Sequence, residues 1–197
     1  MPQVSKGALR TNKMRVARLA KAVPTLDLRR KQLTMEMLSW EERILGMRSN
    51  RDALAEGMRA CPHPEVERLV SVAAVETSDM NVAGVMLKSL REVRFSVLPY
   101  SMLMTPPSFD HFVALRSSLL RAEEELKIME ESFARLSDEL AITTQRINLF
   151  EKRMIPQCQE SIRYIRGRLE DNERASVMVA KIAQATLLGK QEAFESA

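Results

Sequence analysis

The sequence predicts an all-α-dominated fold, a long antiparallel two-helix coiled coil with a small helix/β-hairpin insertion between the helices. Three observations predict it. From Leu115 onward, Leu119, Ala122, Leu126, Met129, Phe133, Leu136, Leu140, Thr143, Ile147, Phe150 and Met154 follow one another at alternating steps of four and three. That spacing makes a seam that presses one helix against another in a left-handed supercoil. A second such run lies upstream, through Val16, Leu19, Val23, Leu26, Arg30, Leu33, Met37, Trp40, Ile44, Met47, Arg51, Leu54 and Met58. The composition agrees: 28% of residues are charged, 5% are aromatic, and there are 6 glycines in 197 residues. Long helices use residues in that proportion.

The whole chain, 1–197, reads as a single elongated domain. Residues 1–8, with Pro2, Ser5 and Gly7, read as loose, and the N-terminal coiled-coil helix as 9–60. On its seam stand Leu19, Leu26, Leu33 and Trp40, with Trp40 read as a packing residue. Arg30 and Arg51 can lay their stems along the seam while their charged ends stay wet. Pro24 lies inside this helix, removing one hydrogen bond, so a kink or short break is expected near residues 20–23.

Cys61-Pro62-His63-Pro64 ends the first helix, because a residue before proline avoids the helical region. The segment 61–108 reads as a compact tip. A short helix is expected over Glu65–Glu76. Asn81–Leu87 and Val93–Leu98 are β-rich runs expected to pair as a hairpin. Ser108 stands where an N-cap belongs, and Asp110 follows in the first turn. The C-terminal coiled-coil helix then runs over 109–188, with Leu119, Leu126, Phe133, Leu140, Ile147 and Met154 on its seam, and 189–197 is read as a loose tail. At about 1.5 Å per residue the two helices span on the order of 75 Å and 115 Å. The second is therefore expected to project past the first.

Chemistry is conspicuously missing. The two histidines, His63 and His111, and the two cysteines, Cys61 and Cys158, stand in no metal-ligand spacing. There is no phosphate-binding glycine loop. No catalytic residue, cofactor or metal is expected. No stretch approaches the roughly 18 apolar residues of a membrane span, and the start has no apolar leader core. A cytoplasmic protein that does not insert into the membrane is expected.

The charge is +4 overall, with a pI near 9.3, and it is unevenly spread. Residues 1–35 hold nine bases against Asp27 alone, and 174–190 hold Arg174, Lys181 and Lys190 with no acid. Residues 123–139 hold seven acids against two bases. An antiparallel hairpin gathers both basic stretches at one end, which reads either as solvated helix faces or as an end suited to an acidic or carbonyl-lined cavity or to a polyanion site. Without aromatic residues interleaved for base stacking, no nucleic-acid partner is expected.

One stretch carries a resemblance. Arg146-Ile147-Asn148-Leu149-Phe150-Glu151, then Ile155-Pro156, Ser161-Ile162-Arg163-Tyr164-Ile165, Leu169-Glu170-Asp171 and Glu173-Arg174 resemble the C-terminal signature of the D subunit of V-type/A-type rotary ATPases. Thr11-Asn12-Lys13 and the turn Asn81-Val82-Ala83-Gly84-Val85 are similar to the same family. Pro24–Lys31 and Tyr100–Leu103 resemble its bacterial branch. Lys152 replaces a usual aromatic, and Cys158 a usual leucine.

The resemblance implies a non-catalytic central rotor shaft, peripheral to the membrane through its complex. Its coiled coil would enter the bore of a hexamer of catalytic and regulatory nucleotide-binding subunits. Its other end would hold a small central-stalk subunit and dock on a membrane-ring adaptor subunit. Arg10, Lys13, Arg15, Arg18, Lys181 and Lys190 are the candidates for bore contacts. Val85, Met86 and Leu87 are the candidates for the small stalk subunit, with a local mini-core as their plainer role. The heptad pattern taken alone also fits a prefoldin-like coiled-coil chaperone or a coiled-coil adaptor.

Overall fold

The computed structural model describes residues 4–101 and 105–195, with side chains as far as residue 186. In chain order the elements are α1 (Lys6–Arg59), α2 (Val66–Leu69), β1 (Val70–Val82), β2 (Val85–Val97), α3 (Phe109–Leu149), a π-helical turn (Phe150–Met154) and α4 (Ile155–Glu195). They form two compact units, one of Met1–Asp27 with Gln145–Ala197, the other of Leu28–Thr144.

Helix α1 begins earlier than the composition of residues 1–8 suggests, because Ser5 caps it. The Ser5 Oγ accepts a hydrogen bond from the Ala8 N–H at 3.0 Å, satisfying one of the donors a helix start leaves unpaired. Of the kink or short break expected near residues 20–23, the break does not occur: α1 runs unbroken through Pro24. One proline removes one rung of the ladder, and a helix of 54 residues retains the rungs on both sides. Next to the gap, the Thr25 hydroxyl donates to the carbonyls of Lys21 and Ala22.

In the unit Leu28–Thr144, α1 and α3 run antiparallel. Arg29 meets Glu139 at 3.4 Å and Arg48 meets Glu130 at 2.8 Å. Gly57 faces Leu115 so closely that a Cβ there would come within 3.2 Å of its side chain. Leu33, Trp40, Leu119 and Leu126 are buried, and Phe133 and Leu140 half-buried. Each large side chain fully removed from water contributes about 1.5–3 kcal/mol. Arg30 and Arg51, the charged members of the first run, are both half-buried.

The tip departs from the expected pattern. The helix predicted over Glu65–Glu76 is confined to Val66–Leu69, and the chain turns to strand at Val70. Val70, Val72, Val75 and Thr77 explain this, since β-branched residues fit a pleated strand better than a helix. The run Asn81–Leu87 is not one strand either. It holds the turn that joins two 13-residue strands. Val82 pairs with Val85, leaving Ala83 and Gly84 as a two-residue loop with φ of 50° and 80°. Two positive φ values make the turn whose twist matches the strands it joins. The Asn81 side chain holds it by accepting the Gly84 N–H at 3.0 Å.

The hairpin packs its turn end into the helix pair. Val85 and Leu87 share a core cluster with Leu33, Trp40 and Leu136, against which Val82 and Ala83 also pack. A second cluster of Met58, Val66, Phe109 and Leu119 lies where α1 gives way to the tip. There His63 and Tyr100 flank the Phe109 ring at centroid distances of 5.5 Å and 5.1 Å.

In the unit Met1–Asp27 with Gln145–Ala197, Leu19, Ile147, Cys158 and Ile165 are buried, while Leu26 and Met154 are half-buried. Lys6, at the start of α1, meets Glu173 at 3.3 Å. Helix α4 continues well past that level to Glu195, beyond the end at residue 188 that the sequence suggests.

Candidate functional site

Among the described residues no group of three or more His, Cys, Asp or Glu side chains is placed to hold a metal ion. His63 and His111 pack against phenylalanine rings. No helix among the described residues is long and apolar enough to cross a membrane. The candidate site is therefore a set of surfaces, and three stand out.

The first lies on the unit that holds the N-terminal part of α1. Arg10, Lys13, Arg15 and Arg18 are all exposed on α1, and Lys181 is exposed on α4. The side chain of Lys190 lies outside the described residues. Arg15 and Arg18, with Thr11 and Met14, line a shallow concavity of about 210 Å³. Every described residue of α4 from Glu170 to Thr186 is exposed. Within that stretch Val177, Met178, Val179 and Ile182 make an apolar patch, and a concavity of about 620 Å³ is lined by Glu170, Glu173, Arg174, Val177 and Met178. Exposed apolar surface gathered in this way is the kind that contacts another protein, a membrane or a ligand. Charge alone points only to the basic residues of this region. The signal that charge passes over is the density of apolar residues at 177–182.

The second surface is the hairpin. Here the structure corrects the sequence reading. Val85 and Leu87 point into the core cluster with Trp40 and Leu136, and Leu87 is wholly buried. They are unavailable to a partner, because successive residues of a strand face opposite ways. Only Met86, 57% exposed, points outward. Its neighbour across the ladder is Asn81.

The third surface is one the sequence reading does not anticipate. Leu28, Met35, Leu38 and Leu45 lie exposed on α1 within the unit Leu28–Thr144. Their steps of seven, three and seven put them on one face, away from the seam at Leu33, Trp40 and Ile44. At one end of this stripe, Leu45 joins Glu41, Ile44, Arg48, Glu130 and Phe133 around a concavity of about 300 Å³. The same heptad arithmetic that finds the seam finds this second stripe once it is applied to residues left over from the first.

Comparison with known proteins bears directly on these surfaces. The family model that describes the ATP synthase D subunit matches residues 8–185. The chain belongs to the ATP synthase D-subunit family. It is 28% identical over 193 residues to the V-type ATP synthase D subunit of Borreliella burgdorferi, covering 95% of this chain and 96% of that one. It is 28% identical over 198 residues to the V-type ATP synthase D subunit of Chlamydia muridarum, covering 96% and 98%. A Chlamydia abortus protein of the same name is 27% identical over 203 residues, covering 99% and 98%. Membership of the D-subunit family bears out the resemblance read from Arg146–Arg174 and does not favour the chaperone reading. The match spans α1 from residue 8, the hairpin and α4 as far as residue 185, and Lys190 lies outside it.

Proposed function

We propose that this chain is the central-stalk rotor shaft of a V/A-type ATPase, a non-catalytic subunit that passes torque between a nucleotide-hydrolysing or nucleotide-synthesising hexamer and a membrane ring that moves ions. The observation that carries the reading is the family match over 8–185 on a chain whose helices pair antiparallel along a heptad seam. A continuous buried seam resists bending, and a shaft needs that property. The three exposed surfaces supply what a shaft also needs, distinct faces for distinct neighbours.

The partners of this reading are the catalytic and regulatory nucleotide-binding subunits, a small central-stalk subunit and a membrane-ring adaptor. The hexamer bore takes the exposed bases Arg10, Lys13, Arg15, Arg18 and Lys181, with Lys190, and the apolar patch around Val177 and Ile182. The small stalk subunit takes the outer face of the hairpin at Met86 and the stripe Leu28–Leu45. The location is cytoplasmic and peripheral to the membrane, through the complex.

An affinity pull-down of the tagged chain from native membranes, with mass spectrometry and an ATPase assay on the eluate, tests this reading. Nucleotide-binding subunits together with ATPase activity are the expected result. Recovery of unfolded clients without ATPase activity would overturn it.

A further inference from the structure

Between α3 and α4 the ladder widens by one residue. The Ile155 N–H bonds to the Phe150 carbonyl, five residues back, and Phe150–Met154 forms a π-helical turn. Pro156 follows directly. A proline has no N–H to give and its ring crowds the carbonyl four residues earlier, so a widened turn ahead of it relieves the crowding.

The effect on packing is larger than one lost bond. Carried forward from Ile147, Phe150 and Met154, the heptad calls for Gln157, Ser161, Tyr164 and Arg168. Of these, Gln157, Tyr164 and Arg168 are exposed. The residues one place later are inside: Cys158 and Ile165 are buried, and Ile162 and Leu169 half-buried. Tyr164 and Arg168 pair with each other on the outside, the guanidinium 5.7 Å from the ring centroid. The turn has taken up one residue, so that apolar side chains face inward and polar ones stay wet.

We propose that Phe150–Met154 is a one-residue phase joint in the long C-terminal helix, held in place by the apolar line Cys158, Ile162, Ile165 and Leu169 rather than by Pro156 alone, and that within the packed stretch of this helix, up to Leu169, it is the point that yields first. The reason is local. The wide turn has poorer hydrogen-bond geometry, Pro156 donates nothing, and Glu151, Lys152 and Arg153 are exposed, so few buried contacts support the backbone. Unwinding the turn to α-helix in an intact chain rotates α4 by about 100° and brings Gln157 and Arg168 to the seam. Removing one residue from the turn does the opposite. It restores an unbroken heptad with the same apolar line inside. The inference concerns the helix itself and stands whether or not the chain is a rotor shaft.

Hydrogen exchange on the full-length chain tests it, together with two deletions. In the unmodified chain, amides of Glu151–Cys158 are expected to exchange about tenfold faster than those of Ile162–Leu169, the equivalent of one hydrogen bond's net worth. Deletion of Glu151, which returns the Pro156 ring to an ordinary helical turn, is expected to lower the thermal midpoint much less than deletion of Glu131 and to narrow that difference. Deletion of Glu131, an exposed residue of α3 with no widened turn beside it, is expected to lower the midpoint strongly. Pro156→Ala is expected to keep the fast-exchanging segment. Uniform exchange across Glu151–Leu169 in the unmodified chain would overturn the proposal. So would a Glu151 deletion that destabilises the chain as much as the Glu131 deletion, or loss of the fast segment in Pro156→Ala.

Discussion

The hydroxyl of Ser132 on α3 closes the edge of strand β2 at Lys88. It accepts the Lys88 N–H at 3.2 Å and donates to the Lys88 carbonyl at 2.9 Å. Lys88 pairs with Asp79 across the hairpin, and its own N–H and C=O turn outward from that ladder. An unpaired strand edge is an invitation to foreign strands, and here a helix side chain fills it. Ile128, one turn earlier on α3, is buried along the same line although it lies off the helix seam.

Ser132→Ala removes both bonds and leaves two backbone groups unmet. We expect a loss of about 1–3 kcal/mol in urea unfolding and faster amide exchange through β2. Unchanged exchange at Lys88 would mean that apolar packing alone seats the hairpin.

The turn at Ala83-Gly84 depends on backbone freedom at Gly84, whose φ is 80°. A side chain there crowds its own carbonyl at a cost of about 1–2 kcal/mol. Gly84→Ala is expected to lower stability by that amount. The space around it is open except for an Arg29 nitrogen 3.9 Å from the position of the new Cβ, so strain and not collision is the cause. A neutral result in thermal unfolding would argue that the loop relaxes to another turn type.

Leu87 and Met86 are neighbours with opposite duties. Leu87→Ala opens the cluster around Trp40 and is expected to cost about 2–5 kcal/mol. Met86→Ala is expected to stay within about 0.5 kcal/mol of the parent and to weaken capture of the small stalk subunit in a pull-down. Equal capture by the parent and Met86→Ala would remove Met86 from that interface.

The basic residues of α1 and α4 are exposed and contribute little to folding. Replacing Arg10, Lys13, Arg15, Arg18 and Lys181 together by Gln is expected to leave the melting temperature nearly unchanged. Binding to the nucleotide-binding hexamer is expected to weaken and to lose much of its salt dependence. Intact binding, torque and salt dependence would refute their role in the bore.

The Tyr100 hydroxyl donates to an Asp110 carboxylate oxygen at 2.8 Å. That hydrogen bond, then burial, then the carboxylate's negative charge raise the Tyr100 pKa above its ordinary value. Because the folded-state value is raised, the contact's contribution is fully present below about pH 10 and is lost as pH climbs through the folded-state value. In a Tyr164→Phe background, absorbance titration of the one remaining tyrosine is expected to show a raised midpoint, lowered again by Asp110→Asn. An unshifted midpoint would show that the pair does not persist in solution.

Much of the fold was legible in the residues themselves. Every position of the heptad run from Val16 to Met58 is buried or half-buried, because a period of three and four can satisfy only one helix face. The hairpin was legible as β-rich, but its bounds were not. Strand alternation in Val70–Thr77 is short enough to pass for helix, and only pairing with Val85–Val97 decides the matter.

What the sequence determined by itself was local and periodic: two long amphipathic helices, the chain reversal between them, the basic stretches, and the family motif at Arg146–Arg174. Each depends on spacing along the chain, which side-chain geometry converts directly into a face. The tertiary structure decided which way each residue of the hairpin points, that Ser132 is a strand's partner and not an exposed serine, and that the seam of α4 slips by one residue at Phe150–Met154. Those outcomes depend on what lies opposite. A hydroxyl, a methionine or a proline-bounded turn carries no record of its neighbour until the chain has folded and brought the two together.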